Sequence, residues 1–344
     1  MADRLKIGVT GCGAMARAVH LPLLARRADV EISAIAEPDP GATAMALEQV
    51  PGARAFTTLD AMLAGTPLDA VIVAAPTGEH ASAARAVFAA GCHLYLEKPL
   101  AHCGAEGARV LDAWRASGRV GMMGFNMRFN PLYRRLRELI RSGRAGRPVY
   151  TRSVFATAPR AAAAWKRSRA TGGGALLDLG AHHIDLMRFL FSREPVAVCA
   201  TLESRHAEDD TALLELELAG GPRVHGFYSL AAAEQDQVEV HGDCARLSVS
   251  RFTSLDVAVI DNPGMRGGPL RRLVLTMSAL AQLPEALRAR RSPLREPGYA
   301  LALDCFLQAV RTGRLAADAA DLDDGYKCLA IIEAAERCAR GTAT

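Results

Sequence analysis

The sequence has no apolar run approaching about 18 residues, the length that a membrane-spanning helix needs. Its eight cysteines occur singly, without a CxxC pair or a Cys/His cluster at metal-ligand spacing. It also has little excess charge, since 41 basic and 37 acidic residues give a formal net charge of +4. These absences argue against a membrane protein, a disulfide framework, a metal site and a nucleic-acid-binding protein, and they favour reduced thiols.

The chain enters a strand-like segment almost at its first residue, which leaves no room for a signal peptide. Apolar residues make up 50% of the sequence and charged residues 23%, as in compact globular proteins. We therefore expect a soluble, cytoplasmic protein. Its 344 residues exceed what one hydrophobic core usually supports, so we expect two domains.

The first domain, predicted over residues 1–125, alternates short apolar runs with helical patterns. The predicted strands cover residues 5–10, 30–37, 53–58, 69–76, 92–99 and 120–125. The predicted helices cover residues 14–26, 41–49, 59–64, 79–90 and 104–117. Strands that are apolar nearly throughout and separated by helices indicate a parallel sheet covered on both faces, as in an α/β Rossmann fold.

The second domain, predicted over residues 126–344, has a different rhythm. A basic amphipathic helix at 131–142 and an extended segment at 148–158 lead to three glycines and another helix. Runs with a period of two then cover residues 196–204, 211–219, 223–231, 237–242, 245–250 and 255–261. Consecutive alternating strands predict an open, mostly antiparallel sheet in an α+β domain.

Three helical patterns close the chain. The segment 269–291 is a predicted helical insertion, either a lid or an oligomer contact, and helices at 298–312 and 321–340 follow it. The last helix is expected to be able to pack back on the first domain.

A glycine motif of the form G-x-G-x-x-A follows the first predicted strand. Gly11 permits a tight turn, Gly13 lets the backbone approach a pyrophosphate, and Ala16 lets the helix pack closely. Glu37 ends the second strand, where a carboxylate can accept hydrogen bonds from ribose hydroxyls and would repel a 2′-phosphate. The motif therefore predicts a dinucleotide site that favours NAD, with NADP possible.

The stretch "GGGALLDLGAHHIDL", residues 172–186, carries ionisable residues at helical spacing. Asp178, His182 and Asp185 are expected on one face, with His183 about 100° away. Histidine is the side-chain type that takes up a proton near neutral pH, so this face is either a proton-handling site or a polar patch on a core helix. Lys98, at the end of the fifth strand, is either a solvated residue or a donor to a substrate oxygen.

Several segments together resemble the Gfo/Idh/MocA family of nicotinamide-dependent oxidoreductases, named for glucose-fructose oxidoreductase and inositol dehydrogenase. In chain order they are "GCGAMA" (11–16), "AAPTGEH" (74–80), "EKPLA" (97–101), "GFNMRFNP" (124–131), "GGGALLDLGAHHIDL" and "DDGYKCLAIIEAAERCARG" (323–341). They span nearly the whole length, and the combination of EKP with GGG-x-L-x-D-x-G-x-H is a specific signature.

The resemblance implies a role for each matching position. The implied catalytic residues are Lys98, Asp178 and His182. The implied cofactor contacts are Gly11, Gly13, Ala14, Met15, Glu37, Ala75, Thr77, His80, Glu97, Lys98 and Asn126. The implied substrate contacts are Lys98, Asn126, Arg128, Arg160, Trp165, Asp178 and His182, with Lys166 in the same variable loop. No metal is implied.

The expected enzyme oxidises a secondary alcohol of a cyclitol, sugar or sugar derivative with NAD. A homodimer or homotetramer with no nucleic-acid or membrane partner is expected from the sheet and the family. The alternatives are an NADP-dependent keto-sugar reductase, an enzyme that oxidises its substrate transiently to allow elimination or epimerisation, and a non-catalytic nucleotide or sugar sensor.

Overall fold

The computed structural model describes residues 4–159, 163–262 and 292–341. The chain divides into two compact units, one of Met1–Asn126 with Tyr299–Leu329 and one of Met127–Gly298 with Ala330–Thr344. The predicted second domain is thus interrupted, because one late segment packs with the first unit. Phe306 meets Tyr95 edge-on with 5.5 Å between ring centres, a long-range contact that no local pattern encodes.

The first unit contains a six-stranded parallel sheet in the order β3-β2-β1-β4-β5-β6. Its strands are β1 Leu5–Thr10, β2 Val30–Ala36, β3 Arg54–Phe56, β4 Ala70–Val73, β5 His93–Leu96 and β6 Gly121–Met123. All four residues of β4 are buried, as expected for a central strand covered on both faces. The strand order reverses between β1 and β4, and such sheets bind ligands beyond the carboxyl ends of the strands at that point.

Helices flank these strands, and polar side chains begin several of them. They are α1 Leu21–Ala25, α2 Pro40–Gln49, α3 Leu59–Gly65, α4 His80–Ala89 and α5 Gly104–Ser117. Asp39 caps α2 by accepting from the Ala42 amide, and Thr58 caps α3 by accepting from the Ala61 amide. A π-helical turn, Ala16–His20, precedes α1.

The second unit contains a seven-stranded sheet in the order β13-β12-β11-β7-β10-β9-β8. Its strands are β7 Pro148–Ala156, β8 Pro195–Glu203, β9 Thr211–Leu218, β10 Arg223–Ser229, β11 Gln235–Gly242, β12 Ala245–Ser250 and β13 Ala258–Asp261. Among the strands of this sheet that the structure describes, only β7 and β10 pair in parallel. The predicted α/β and α+β architecture with its two sheet types is confirmed.

The remaining helices are α6 Pro131–Arg141, α7 Ala181–Phe191, α8 Gly298–Thr312 and α9 Leu322–Ala339. A π-helical turn, Leu176–Gly180, leads into α7. The predicted insertion 269–291 lies outside the described residues. Within the described ranges, no helix has both the length and the apolar character needed to cross a membrane.

The expectation of reduced thiols is wrong for one cysteine pair. Cys199 on β8 and Cys338 near the end of α9 form a disulfide, with 5.3 Å between their Cα atoms. The other six cysteines form no disulfide. The partners lie 139 positions apart, so nothing in their spacing indicates that the last helix reaches the first strand of the antiparallel run.

Candidate active site

The glycine loop follows β1, and its two glycines have different surroundings. Gly11 has φ +80°, and a Cβ there would lie 2.4 Å from the Ala75 amide nitrogen. Gly13 is exposed, and a Cβ there would have no described atom within 4 Å. Gly11 is therefore needed for the turn and its packing on the segment after β4, whereas Gly13 keeps a space open in front of the loop. Beyond it, Ala14 is exposed and Met15 is half-buried.

Glu37 lies directly after β2 and is fixed by the backbone. Its carboxylate accepts from the Cys12 amide at 2.7 Å and from the Asp39 amide at 3.0 Å. Burial and the nearby charge of Glu37 raise the pKa of the Cys12 thiol to about 11, so this thiol remains protonated at neutral pH. The loop thus presents an oriented carboxylate beside the open space at Gly13.

Buried His80 links the segments that follow β4 and β5. Its Nδ1 lies 2.6 Å from the Pro99 carbonyl oxygen and its Nε2 lies 2.9 Å from the Ala75 carbonyl oxygen. Burial lowers the pKa of His80, although both carbonyls favour the charged ring. The peptide bond between half-buried Lys98 and Pro99 is cis. Because His80 contacts the Pro99 carbonyl oxygen, it fixes the backbone next to Lys98.

Glu97 is also held by a histidine, which the sequence analysis missed. His20 Nε2 lies 2.8 Å from Glu97 Oε1, and both side chains are nearly buried. His20 and Glu97 are 77 positions apart, and the His20 ring also meets Tyr95 on β5 edge-on, with 5.5 Å between ring centres. On the other side, a Cβ at Gly124 would lie 3.0 Å from Glu97 Oε2.

Asn126 lies just beyond β6 and is only 1% exposed. Its Oδ1 is buried and has no hydrogen-bond partner among the described residues. A buried acceptor of this kind calls for a donor from a bound group. Together with the open space at Gly13 and the oriented carboxylate of Glu37, it fits a bound dinucleotide with a carboxamide end. Thr77 is buried at the start of the turn before α4.

In the second unit, Asp178 lies in the π-helical turn before α7. Lys166 Nζ donates to Asp178 Oδ2 at 2.7 Å. The loop can approach because residue 173 is glycine, where a Cβ would lie 2.3 Å from the Lys166 carbonyl oxygen. The carboxylate is 17% exposed and its position is set by the ammonium. A π-turn replaces the regular α-helix that the sequence predicts, and such turns are frequent at functional sites.

His182 and His183 have different environments. His182 is 9% exposed and its ring centre lies 6.3 Å from that of Phe155. His183 is fully buried, with Nδ1 at 2.7 Å from Ser153 Oγ and Nε2 at 3.3 Å from Asp236 Oδ1. The His183 ring therefore lies in the interior of this unit, where its two nitrogens face Ser153 and Asp236.

Arg128 and Asp185 pair with each other. Arg128 donates from Nε and Nη2 to the two Asp185 oxygens at 2.8 and 2.6 Å, and both side chains are buried. Asp185 also lies 3.7 Å from Arg188. The expectation that Asp185 shares the face of Asp178 stays a prediction, and its carboxylate is buried in the ion pair with Arg128. The predicted substrate role of Arg128 stays a prediction, with its guanidinium held by Asp185.

The variable loop contains Trp165, which is half-buried in a short 3-10 turn. Its carbonyl accepts from Thr171 Oγ1 at 2.7 Å, and Lys166 Nζ lies 5.2 Å from its ring centre. Arg160 lies outside the described residues. Within the described residues, no group of three or more His, Cys, Asp or Glu side chains is arranged to hold a metal ion.

Comparison with family models matches both units. Residues 5–125 match the model described as the oxidoreductase family with an NAD-binding Rossmann fold, and residues 133–248 match the GFO/IDH/MocA C-terminal domain. The chain belongs to the Gfo/Idh/MocA family. The Gfo/Idh/MocA resemblance, the enzyme class and the nicotinamide-dinucleotide cofactor are thereby confirmed.

Individual relatives agree with this assignment. The inositol 2-dehydrogenase of Rhizobium meliloti (strain 1021) is 27% identical over 345 aligned positions, covering 97% of this chain and 96% of the relative. A dTDP-3,4-didehydro-2,6-dideoxy-alpha-D-glucose 3-reductase of Streptomyces violaceoruber is 32% identical over 190 residues, 55% of each chain. The structure of GenD2 from gentamicin A biosynthesis in complex with NAD is 26% identical and has a TM-score of 0.82, covering 100% of this chain and 96% of that chain.

Proposed function

We propose that this Gfo/Idh/MocA protein is an NAD-dependent oxidoreductase that transfers hydride between a secondary alcohol of a cyclitol, sugar or sugar derivative and the nicotinamide. One observation carries the proposal: Lys166 fixes the Asp178 carboxylate at 2.7 Å, four positions before His182. A fixed carboxylate followed by a histidine suits the binding of a hydroxyl and the removal of its proton. The similarity to inositol 2-dehydrogenase over nearly the whole chain supports the substrate class.

The first unit would hold the cofactor. Gly13 would leave room for the pyrophosphate, Glu37 would accept hydrogen bonds from the adenosine ribose, and the Asn126 oxygen would accept from the carboxamide. A carboxylate at position 37 favours NAD over NADP because it repels a 2′-phosphate. When bound, the cofactor supplies the hydride acceptor.

The proton would be handled by three side chains of this chain. In the oxidative direction His182 would accept the hydroxyl proton, and the Lys98 ammonium would donate a hydrogen bond to the substrate and stabilise its developing negative charge. Asp178 orients the hydroxyl and stabilises the imidazolium that forms. The reverse reduction uses the same groups, with His182 returning the proton.

A keto-sugar reductase that uses NADP is the second candidate. The partial match to the dTDP-sugar 3-reductase favours it. The carboxylate of Glu37 weighs against the phosphorylated cofactor, so we place it second.

A substrate panel tests the proposal. Inositols, aldoses and nucleotide sugars are each incubated with NAD or NADP, and keto-sugars with NADH or NADPH, while absorbance at the reduced-nicotinamide band is followed. We expect NADH to accumulate with at least one cyclic polyol. Turnover of a keto-sugar with NADPH alone would favour the reductase, product without net NADH would favour transient oxidation, and no turnover in either direction would contradict the proposal.

We also infer an assembly of two or four chains. Leu214 and Leu216 on β9 are buried, whereas Leu213 on the opposite face is 52% exposed and pairs across strands with Phe227. Phe227 is half-buried, and an apolar pair with an exposed leucine on a sheet face supports a contact between subunits.

A further inference from the structure

The loop that carries Trp165 and Lys166 has a shape fixed by its own hydrogen bonds. The Lys166 amide donates to the Ala163 carbonyl at 2.9 Å, and the Gly173 amide donates to the Ser168 carbonyl at 2.8 Å. We call residues 163–174 the substrate loop. These internal bonds set its shape, but they do not determine where it sits on the second unit.

Two acidic residues outside the substrate loop hold its middle. Glu208, in the β8–β9 turn, accepts from Ser168 Oγ at 2.9 Å and from the Arg169 amide at 2.8 Å. Glu336, in α9, accepts from Arg169 Nε at 2.5 Å. The Arg169 and Glu336 side chains are only 11% and 8% exposed. A charge pair this far from water is little screened and has fixed geometry.

Two residues that follow Glu336 in the chain contact segments next to the substrate loop. Cys338 forms the disulfide with Cys199 on β8. Arg340 Nη2 donates to Asp209 Oδ2 at 2.7 Å, and the Asp209 carbonyl accepts from the Ala175 amide at 2.7 Å. We call Glu336, Cys338 and Arg340 the C-terminal clamp. It contacts the loop directly at Arg169, and through Asp209 it holds Ala175, the residue that follows the loop.

We infer that Glu336 is a positioning residue for substrate binding, acting through Arg169 on the substrate loop. This inference rests on the proposed function and on the expectation from the family resemblance that Trp165 contacts the substrate, with Lys166 in the same loop. The loop ends four positions before Asp178, so a shift at Arg169 displaces both the sugar contacts and the ammonium that fixes the carboxylate. Displacements of about 1 Å are enough to weaken catalysis and binding substantially.

Glu336→Gln tests the inference, because it keeps an acceptor and removes the charge. We expect KM for the sugar to rise about tenfold, with a smaller change in kcat and an unchanged Kd for NAD. We also expect faster amide hydrogen exchange in peptides covering 163–175, with the rest of the chain unaffected. Glu217→Gln is the matched control, because it breaks an exposed ion pair with Arg223 on the same unit. Glu217→Gln should leave KM, kcat, the Kd for NAD and the amide exchange of the loop unchanged.

Arg169→Lys and Arg169→Gln supply the second comparison. The lysine keeps the charge toward Glu336, so its KM should lie closer to the wild-type value than that of the glutamine variant. If Glu336→Gln exchanges rapidly everywhere, the fold is lost and the Arg169 pair decides. An active wild type whose KM and loop exchange are unchanged in these variants would overturn the inference. An inactive wild type would overturn the proposed function, while the exchange measurement would still test the positioning.

Discussion

Substitution by alanine is expected to reduce the stability of the fold at Gly11 and the affinity for NAD at Gly13. At Gly11 a Cβ would clash with the Ala75 backbone at 2.4 Å and φ is +80°, so Gly11→Ala should destabilise the fold. At Gly13 a Cβ would meet no described atom within 4 Å, so Gly13→Ala should fold normally and bind NAD more weakly. Thermal unfolding and NAD titration of the two variants check this.

Each variant serves as the control for the other. Equal losses of thermal stability in both, or NAD affinity at the wild-type level in Gly13→Ala, would contradict the assignment of the open space to the cofactor.

Individual residues could be predicted where chemistry and local motif coincide, and were missed where only packing decides. The glycine motif and Glu37 could be read from their positions after β1 and β2. His20 could not, because its contact with Glu97 depends on long-range packing. The pairing of Asp185 with Arg128 had no local signal either, because Arg128 lies 57 positions earlier.

At the scale of elements, a buried charge network joins α6, β11 and the start of α7. Asp236 accepts from Tyr133 Oη at 2.5 Å and from Arg251 Nε at 2.6 Å, and it faces His183. Burial disfavours its charge, but Arg251, His183 and the hydrogen bonds outweigh burial and hold the pKa of Asp236 well below its usual value of 3.8. Because the pKa of Asp236 is lower in the folded state than in the unfolded state, its ionised form stabilises the fold at pH values above the unfolded-state pKa. This stabilisation is lost as the pH falls from the unfolded-state pKa towards the folded-state pKa.

Asp236→Asn should therefore be less stable than the wild type by about 3–5 kcal/mol at neutral pH, because it leaves buried Arg251 undercompensated. The difference should shrink as the pH falls below about 4, where the wild-type carboxylate loses its advantage. Urea unfolding at a series of pH values measures it. Asp323→Asn, which breaks an exposed pair with Arg115, should cost under about 1 kcal/mol. A difference that is constant down to acid pH would contradict the account.

Most strands and helices could be predicted, because the spacing of apolar residues along the chain indicates which face of an element is buried. The π-helical turn before α7 was not, because it depends on what the helix packs against. Gly180 lies in that turn, and a Cβ there would be 3.3 Å from the Tyr228 ring. This contact belongs to a strand far along the chain, so the local sequence has no signal for it.

For the whole molecule, the disulfide gives a direct chemical prediction. The unfolded protein, prepared without reductant, should titrate six thiols, and eight after treatment with a dithiol. Reduction should lower the free energy of unfolding by about 2–5 kcal/mol, because the bond closes a long loop. Eight thiols before reduction would contradict the Cys199–Cys338 bond.

The two different sheets of the two units could be predicted from the sequence, but the boundary between the units could not. The change from nearly continuous apolar strands to alternating ones marks where the second unit begins. The return of Tyr299–Leu329 to the first unit depends on contacts such as Phe306 with Tyr95, which bridge more than half the chain.

Turnover by Lys98→Met tests most directly the claim that this chain catalyses hydride transfer with its own Lys98, Asp178 and His182. The variant keeps an unbranched side chain of similar size and removes the ammonium. We predict that kcat/KM falls by about 10²–10³-fold or more while NAD binding stays largely intact. Lys6→Met, at the other end of β1 from Gly11, should retain full activity. Wild-type turnover by Lys98→Met would contradict the account.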